Sequence, residues 1–412
     1  MSSDTVDVDQ SLVWQPPEYD TSREPELAAR AELVPDPDFP RNFARTAKWS
    51  PDGSTALAHC EDRTFQYLNI QGYTQNASLK PILRQAESIV DFAWYPRATQ
   101  QDPATFCFVA SVREAPVRLL DAATGRLRAS YRIVDHRERQ IAPHSLAFNI
   151  AGDKLYCGFE DAIEVFDVAA PGEGTRLATT PSKKSKDGLK GIISSIAFCP
   201  SYDPAYNFFA AGSLSLPSSA SSNIALYNED VPTHAVGWIG NVRASVMQLK
   251  FNPMKPHILY SSYRRQRGIY SWDLRGDTSV PVQVFDRDDR PMPDTNQKML
   301  FDVDLGGRWL AVGDQTGHIS VFDTDEPAFA DGTAPPALVY EAHDDAVGAV
   351  AFHPLRSVLL SVSGSRHFAG EELDGSSSEE DADAPIRRAR TRLQPSVREA
   401  TAKVWSFASN SV

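Results

Sequence analysis

The stretch FDVDLGGRWLAVGDQTGHISVFD (Phe301–Asp323) contains the pattern that decides the fold. Three short runs within it, FDVD, WLAVGD and HISVFD, alternate apolar with small or polar residues, which is typical of half-buried β-strands. Gly306, Gly307 and Gly317 lie between the runs, where tight turns need them. The stretch therefore predicts three consecutive antiparallel strands.

This arrangement recurs seven times along the chain, so the sequence is internally repetitive. An apolar strand closes on an aromatic or apolar residue before a turn in AKWSPDG, DFAWYP, SLAFNIAGD, SIAFCP, LKFNP, FDVDLGG and VAFHP. The closing residues, 45 to 54 positions apart, are Trp49, Trp94, Phe148, Phe198, Phe251, Val303 and Phe352. A second alternating run follows each of them and ends near Asp or Asn in six repeats, as in IEVFD and IYSWD, and on Ser406 in the seventh.

Units of this length with room for four strands are typical of β-propeller blades of the WD-repeat kind. A single blade exposes both of its faces, so the units must pack against one another in a closed ring. The sequence predicts an all-β fold, a seven-bladed WD40-type β-propeller over residues 37–408, with the closing aromatics in the core between blades.

The composition is that of a soluble intracellular protein with a sizeable core. Of the 412 residues, 42% are hydrophobic and 23% are charged. No run approaches the roughly 20 apolar residues of a membrane-spanning helix, and the acidic N-terminus does not resemble a secretory signal. The four cysteines are far apart in sequence and are expected to be reduced, buried thiols.

Acidic charge is concentrated in two segments outside the repeat pattern. Residues 1–36 are acidic and proline-rich and predict a disordered tail. Residues 369–399 combine an acidic, serine-rich run with an arginine cluster and predict a disordered loop between the second and third strands of the last blade. The chain carries a net charge of −13, of which the propeller itself holds only a small part.

Each of these segments contains a motif with more than one interpretation. Trp14 and Tyr19 form either a short docking motif or incidental aromatics of a solvated tail. The loop arginines are a nuclear localisation signal, a phosphate-binding strip or part of a solvated loop, and they are Arg387, Arg388, Arg390 and Arg392.

Motifs of catalysis and metal binding are missing from the sequence. It contains no phosphate-binding loop, no H-E-x-x-H, no G-x-S-x-G and no G-x-G-x-x-G after a strand. The nine histidines have no cysteine or carboxylate partners at ligand spacing. We therefore expect no enzyme activity, no cofactor, no metal and no small-molecule substrate.

Basic residues recur in turns that the repeat pattern places on one face of the ring. The turn SSYRRQRGIY carries Tyr263, Arg264, Arg265 and Arg267, and equivalent turns and connections carry Arg113, Arg137, Lys298, Arg366 and His367. Arginine pairs with phosphates, and both arginine and tyrosine stack on bases, so the face suits single-stranded RNA. A protein-binding face accounts for the same residues equally well.

Several stretches resemble the telomerase Cajal body protein family of WD-repeat proteins, as a lower-eukaryote-like member. They lie in order between Phe39 and Trp405 and include RTAKWSPDGS, DAATGRLRASYR, HSLAFN, GIISSIAF, SWDLR and NQKMLFDVDLGG. Propeller geometry does not require DAATGRLRASYR or NQKMLFDVDLGG. Arg113, Arg132 and Lys298 fall in matching segments.

This resemblance implies a non-catalytic scaffold that binds small nuclear RNA. The implied RNA is of the Cajal-body, telomerase or spliceosomal kind, and the implied partners include RNP proteins but no membrane. The protein would assist RNP assembly or nuclear localisation in the Cajal body or nucleoplasm, with some of it in the cytoplasm. The alternative is a protein-only interaction hub associated with pre-mRNA splicing factors, because some lower-eukaryote relatives are linked to splicing.

Overall fold

A computed structural model describes residues 15–74, 82–182, 184–185, 187–216, 222–287, 295–367 and 396–408. In these ranges the chain forms 29 β-strands, one short 3-10 helix (Pro204–Tyr206) and no α-helix. The strands make seven sheets, which confirms the all-β, seven-bladed propeller. No helix of the described residues is long and apolar enough to cross a membrane.

The strands fall into blades in the order of the repeats. The first strand along the chain, β1 (Glu26–Glu32), belongs to the last blade. Blade 1 contains β2 (Ala44–Trp49), β3 (Ala56–Cys60), β4 (Thr64–Leu68) and β5 (Ile82–Arg84). Blade 2 contains β6 (Ile89–Trp94), β7 (Cys107–Val112), β8 (Val117–Asp121) and β9 (Leu127–Tyr131). Blade 3 contains β10 (Ser145–Phe148), β11 (Lys154–Phe159), β12 (Ala162–Asp167) and β13 (Thr175–Ala178).

The remaining blades follow the same plan. Blade 4 contains β14 (Ile193–Phe198), β15 (Phe208–Ser213), β16 (Ile224–Asn228) and β17 (Ala235–Ile239). Blade 5 contains β18 (Val246–Phe251), β19 (Ile258–Tyr263), β20 (Ile269–Asp273) and β21 (Gln283–Phe285). Blade 6 contains β22 (Asp302–Val303), β23 (Trp309–Gly313), β24 (His318–Asp323) and β26 (Leu338–Glu341), while β25 (Thr333–Ala334) pairs in parallel with β21. Blade 7 contains β27 (Val347–Phe352), β28 (Val358–Ser363), β29 (Thr401–Ser406) and β1.

Strand order defines two faces of the ring. In each blade the first strand is innermost, and most first strands contact the first strand of the next blade. Because the strands of a blade are antiparallel, consecutive connections emerge on opposite sides. We call the side with the connections between second and third strands, and between blades, the upper face.

The hydrophobic core lies between the blades. The described residues form seven apolar clusters, each made by two neighbouring blades. The predicted closing residues end the innermost strands and pack toward the preceding blade. Trp49 donates its indole N–H to the carbonyl of Ala351 at 3.2 Å, and Trp94 donates to the carbonyl of Lys48 at 3.3 Å. The prediction that these aromatics form inter-blade core is confirmed.

Blade 7 closes the ring with strands from both ends of the described chain. β1 pairs antiparallel with β29, from Glu26 opposite Ser406 to Glu32 opposite Thr401. Residues 26–32 were predicted to be part of a disordered tail, and for them that prediction is wrong. The physical reason is that β1 occupies the outer edge of β29, which would otherwise be unpaired, and turns Ala31 into the core.

The segment before β1 is also bound to the ring. Tyr19 is buried, its ring packs edge-on against Phe407 with centroids 5.7 Å apart, and its hydroxyl donates to the carbonyl of Arg356 at 3.3 Å. Both interpretations of Tyr19, a docking residue and an incidental aromatic of a solvated tail, are therefore corrected, because its side chain is enclosed in the ring. Trp14, its predicted companion, lies outside the described residues.

A polar network orders the start of β29. Glu399 accepts hydrogen bonds from the Asp344 N–H at 2.6 Å and the Thr401 hydroxyl at 2.5 Å, and lies 3.4 Å from His343. Burial alone would raise the pKa of Glu399, but hydrogen bonds from His343, Thr401 and Asp344 bring it well below its usual value. Residues 396–399 are thus ordered, which corrects the end of the predicted disordered loop. Residues 368–395 are outside the described ranges.

Candidate nucleic-acid interface

The turn between β19 and β20 projects arginine side chains from the upper face. Its backbone is held by hydrogen bonds from Gln266 N–H to the Tyr263 carbonyl at 3.2 Å and from Arg264 N–H to the Ser245 carbonyl at 2.8 Å. Arg265 has a φ of 58°, a left-handed conformation that few residues other than glycine adopt. Arg264 and Arg265 are exposed as a result of this tight turn.

A cavity of about 110 Å³ lies beside this turn, between blades 5 and 6. Buried or half-buried apolar side chains form part of its lining, and they are Met247, Ile269, Met299, Val312 and Phe322. The rest of the lining is mostly polar or charged and includes the turn residues Arg264–Arg267 and the blade 6 turn Asp314–Thr316. The cavity thus has an apolar interior and a charged rim.

Arginines outnumber acidic residues around the cavity. Four arginines and two aspartates line it among the described residues: Arg264, Arg265, Arg267, Arg287, Asp286 and Asp314. Arg267 forms an ion pair with Asp286 at 3.6 Å, and Arg264 donates to the side-chain oxygen of Asn296 at 3.1 Å. Arg265 makes no hydrogen bond or ion pair with a described residue. The rim is therefore net positive, and Arg265 is available to an anionic ligand.

Tyr263 does not have the role that was predicted for it. Only 3% of the residue is exposed, and its ring packs edge-on against Tyr270 with centroids 5.2 Å apart. Burial raises the pKa of its hydroxyl. A buried ring cannot stack on a base at the surface, so the prediction of Tyr263 as a surface stacking residue is corrected.

The equivalent turns of blades 2 and 7 lie on the same face but do not reach this cavity. Arg113 is exposed next to β7. Arg366 shares Glu61 with Arg45, at 2.5 Å from each guanidinium. His367 Nε2 lies 2.8 Å from the Asp345 carboxylate. Both side chains thus have partners within the ring, Arg366 in the turn after β3 of blade 1 and His367 beside β27 of blade 7.

Lys298 lies between the cavity and the central channel. It is half-buried in the connection from blade 5 to blade 6. Burial lowers the pKa of its ammonium group, with a smaller opposing effect from Asp91 and a further lowering by Lys48. These charges belong to the first strands of blades 1 and 2, so Lys298 faces the channel and is not at the cavity rim.

Arg132 and Arg137 belong to a third region. The Arg132 N–H donates to the carbonyl of Gly172 at 3.2 Å, which places Arg132 beside the outer part of blade 3. Arg137 is exposed on the small turn that follows, where its N–H donates to Asp135 at 2.8 Å. The predicted RNA-binding residues therefore fall into separate groups and do not form one continuous patch. The arginines Arg387, Arg388, Arg390 and Arg392 lie outside the described residues.

Sequence reasoning missed the apolar part of the cavity. Met247 is the second residue of β18, and Met299 lies in the connection before β22. The pattern around Met247 is that of ordinary propeller core, and in the connection that holds Met299 the prediction fell on the neighbouring Lys298 and not on the methionine. Only the pairing of blades 5 and 6 brings them beside the arginine turn.

Comparison with known proteins places these features in a family. No protein-family model matches the chain. The human protein Telomerase Cajal body protein 1 is 33% identical over 350 residues, which are 83% of this chain and 60% of the human protein. The Drosophila melanogaster protein Telomerase Cajal body protein 1 homolog is 24% identical over 81% of this chain and 59% of its own length.

A Schizosaccharomyces pombe relative carries a different name. Guanine nucleotide-binding protein negative regulator 1 is 27% identical over 310 residues, which are 68% of this chain and 71% of the yeast protein. The chain spans about three fifths of the length of the human and bovine relatives. With mammalian relatives at 31–33% identity over most of its residues, the chain belongs to the telomerase Cajal body protein family of WD-repeat proteins.

Proposed function

We propose that this protein is a non-catalytic scaffold that binds small nuclear RNA on its upper face and assists RNP assembly in the nucleus. We infer that the RNA is of the Cajal-body type, which includes telomerase RNA, and the name of the human relative, Telomerase Cajal body protein 1, supports this choice. The observation that carries the proposal is the exposed pair Arg264 and Arg265 at the rim of the cavity between blades 5 and 6.

Electrostatics supports this assignment. Phosphates of single-stranded RNA are bound by guanidinium groups that have no internal partner, because such groups need not break an ion pair first. Arg265 meets that condition among the described residues, and the rim as a whole is net positive. Of the overall charge of −13, only a small part belongs to the propeller outside residues 1–36 and 369–399.

The test is RNA binding by the purified full chain, followed by crosslinking in cells and sequencing of the attached RNA. The test variant is Arg264→Glu with Arg265→Glu. Arg267 is left intact, because a glutamate there would face Asp286 and disturb the fold. The matched control makes the same charge change at Arg97 and Arg126, which lie in connections of blade 2 on the opposite face.

We expect the double variant at the cavity rim to lose RNA in both assays, while the blade 2 variant keeps it. Enrichment of spliceosomal RNA would indicate that the protein binds RNA of splicing particles instead of RNA of the Cajal-body type. Equal RNA recovery from the rim variant and the wild type would overturn the assignment of the face. If purified wild-type protein binds no RNA, the RNA-binding proposal fails and a protein-only hub becomes the better account.

A further inference from the structure

We propose that the cavity between blades 5 and 6 binds a nucleotide, with the base inside the cavity and the phosphate at Arg264 and Arg265. The inference rests on the RNA-binding function proposed above and gives it a position and a chemistry. An unstacked nucleotide of an RNA strand and a free mononucleotide offer the same base and phosphate, so the experiment must separate these two sources.

The apolar part of the cavity suits the faces of a base. Met247 and Met299 supply flexible, polarisable side chains, and Phe322 supplies an aromatic one. A base has two apolar faces and a polar edge, whereas a phosphate alone would gain nothing from such a lining. The apolar lining therefore favours a base over a simple anion.

A buried polar atom in the cavity also points to a base. Ser262 lines the cavity, and its buried hydroxyl has no hydrogen-bond partner among the described residues. Buried polar groups in native proteins are seldom left in this state, so each such group needs an explanation. A hydroxyl both donates and accepts, which matches the mixed donors and acceptors at the edge of a base. An aliphatic side chain of a protein partner would leave this hydroxyl unpaired.

The rim supplies the third feature. Arg264 and Arg265 line the cavity and are exposed, so their guanidinium groups are available to a phosphate attached to a base inside it. Arg267 forms an ion pair with Asp286 at 3.6 Å, and this ion pair holds its guanidinium group in the lining of the cavity. One ligand with an apolar body, a polar edge and an attached anion satisfies all three features at once.

The experiment fills the cavity without touching the arginines. Gln266 lines the cavity, and its turn hydrogen bond to Tyr263 uses only its backbone N–H, so substitution preserves that bond. Gln266→Trp introduces a side chain large enough to occupy the space, and Gln266→Ala is the matched control. The probes are short single-stranded RNAs that contain 4-thiouridine or 6-thioguanosine, which crosslink to residues in contact with the base. Thermal melting of each variant checks that the ring is intact.

For an RNA source, the wild type and Gln266→Ala should yield adducts on peptides that contain Met247, Ser262 or Met299. Gln266→Trp should lose these adducts and bind the RNA about tenfold or more weakly, the range found when one base–side-chain stack is removed. For a free-nucleotide source, those adducts are absent, but AMP, GMP, CMP or UMP raises the melting temperature of the wild type and of Gln266→Ala, and not that of Gln266→Trp.

The inference is overturned if adducts form only outside the cavity, Gln266→Trp binds RNA like the wild type and no mononucleotide shifts the melting temperature. Loss of RNA binding in the Arg264→Glu, Arg265→Glu variant under those same conditions would leave the proposed function standing without the nucleotide cavity. Failure of wild-type protein to bind any RNA would instead be a failure of the proposed function, and the mononucleotide titrations would then decide the cavity alone.

Discussion

Tyr19 and Phe352 pack edge-on, with ring centroids 5.1 Å apart and planes inclined at 75°, although they come from opposite ends of the chain. Tyr19→Ala should lower the free energy of unfolding by about 3 kcal/mol, as expected when a large buried aromatic is removed from a core. Tyr19→Phe removes only the hydroxyl and should cost about 1 kcal/mol or less. Urea unfolding of the three proteins measures both values, and an unchanged midpoint for Tyr19→Ala would contradict this account of the segment.

Removal of β1 should open the last blade. A chain that begins after residue 32 leaves the outer edge of β29 unpaired along six positions, from Thr401 to Ser406. Exposed edges pair with other chains, so we expect a lower melting temperature and self-association. Light scattering after size exclusion measures the association. The control begins at residue 15 and keeps every described contact, so it should remain like the full chain.

Acid should destabilise the ring through buried histidines. His353 accepts a hydrogen bond at Nδ1 from the Leu355 N–H and interacts through Nε2 with the Gly53 carbonyl, an arrangement that only the neutral ring satisfies. Burial lowers the pKa of His353 from 6.5 to about 4, and burial likewise lowers that of His59 to about 3.

The sign of the pH effect follows from these values. Below pH 6.5 the unfolded chain binds protons that the folded ring does not, so stability is complete above 6.5 and is lost progressively as the pH falls toward 4. Urea midpoints at a series of pH values should fall in this window. His353→Gln should have a shallower dependence, even though it is less stable at neutral pH. An identical slope in the variant would contradict the role given to His353.

RNA affinity should depend on salt through the arginine turn. Each phosphate that the protein neutralises on single-stranded RNA contributes a slope of about −0.7 in log affinity against log salt. Arg264→Ala with Arg265→Ala should therefore flatten the slope by about 0.7 for each phosphate that is no longer neutralised. Filter binding of one labelled RNA over a range of potassium chloride concentrations measures the change. The same slope with weaker affinity would indicate that these arginines act without touching phosphate.

The repeat architecture was predictable because each blade repeats one local signal. Trp49, Trp94 and Phe352 end innermost strands just as the alternating pattern indicates, and Asp121 and Asp167 end third strands in the same way. Local alternation is sufficient there, since every such strand has neighbours close in sequence.

The ends of the chain were not predictable by the same means. β1 has the sequence ELAARAE, which lacks the aromatic and β-branched residues that favour strands, and it is extended because β29 offers it an edge. Tyr19 lies among acidic residues and prolines, and only its partners in blade 7 make it core. The cavity between blades 5 and 6 likewise depends on Met299 and Met247 of β18, which lie far apart in sequence and line it together. No local sequence pattern reveals this.

The pairing of β1 with β29 has a consequence for biosynthesis. A ribosome makes roughly 5 to 20 residues each second, so β1 is exposed for some tens of seconds before its partner strand leaves the exit tunnel. During that interval six blades can assemble, but the ring stays open and the edges beside the gap attract other nascent chains. The last blade therefore cannot be completed before β29 has been made, however early β1 itself is synthesised.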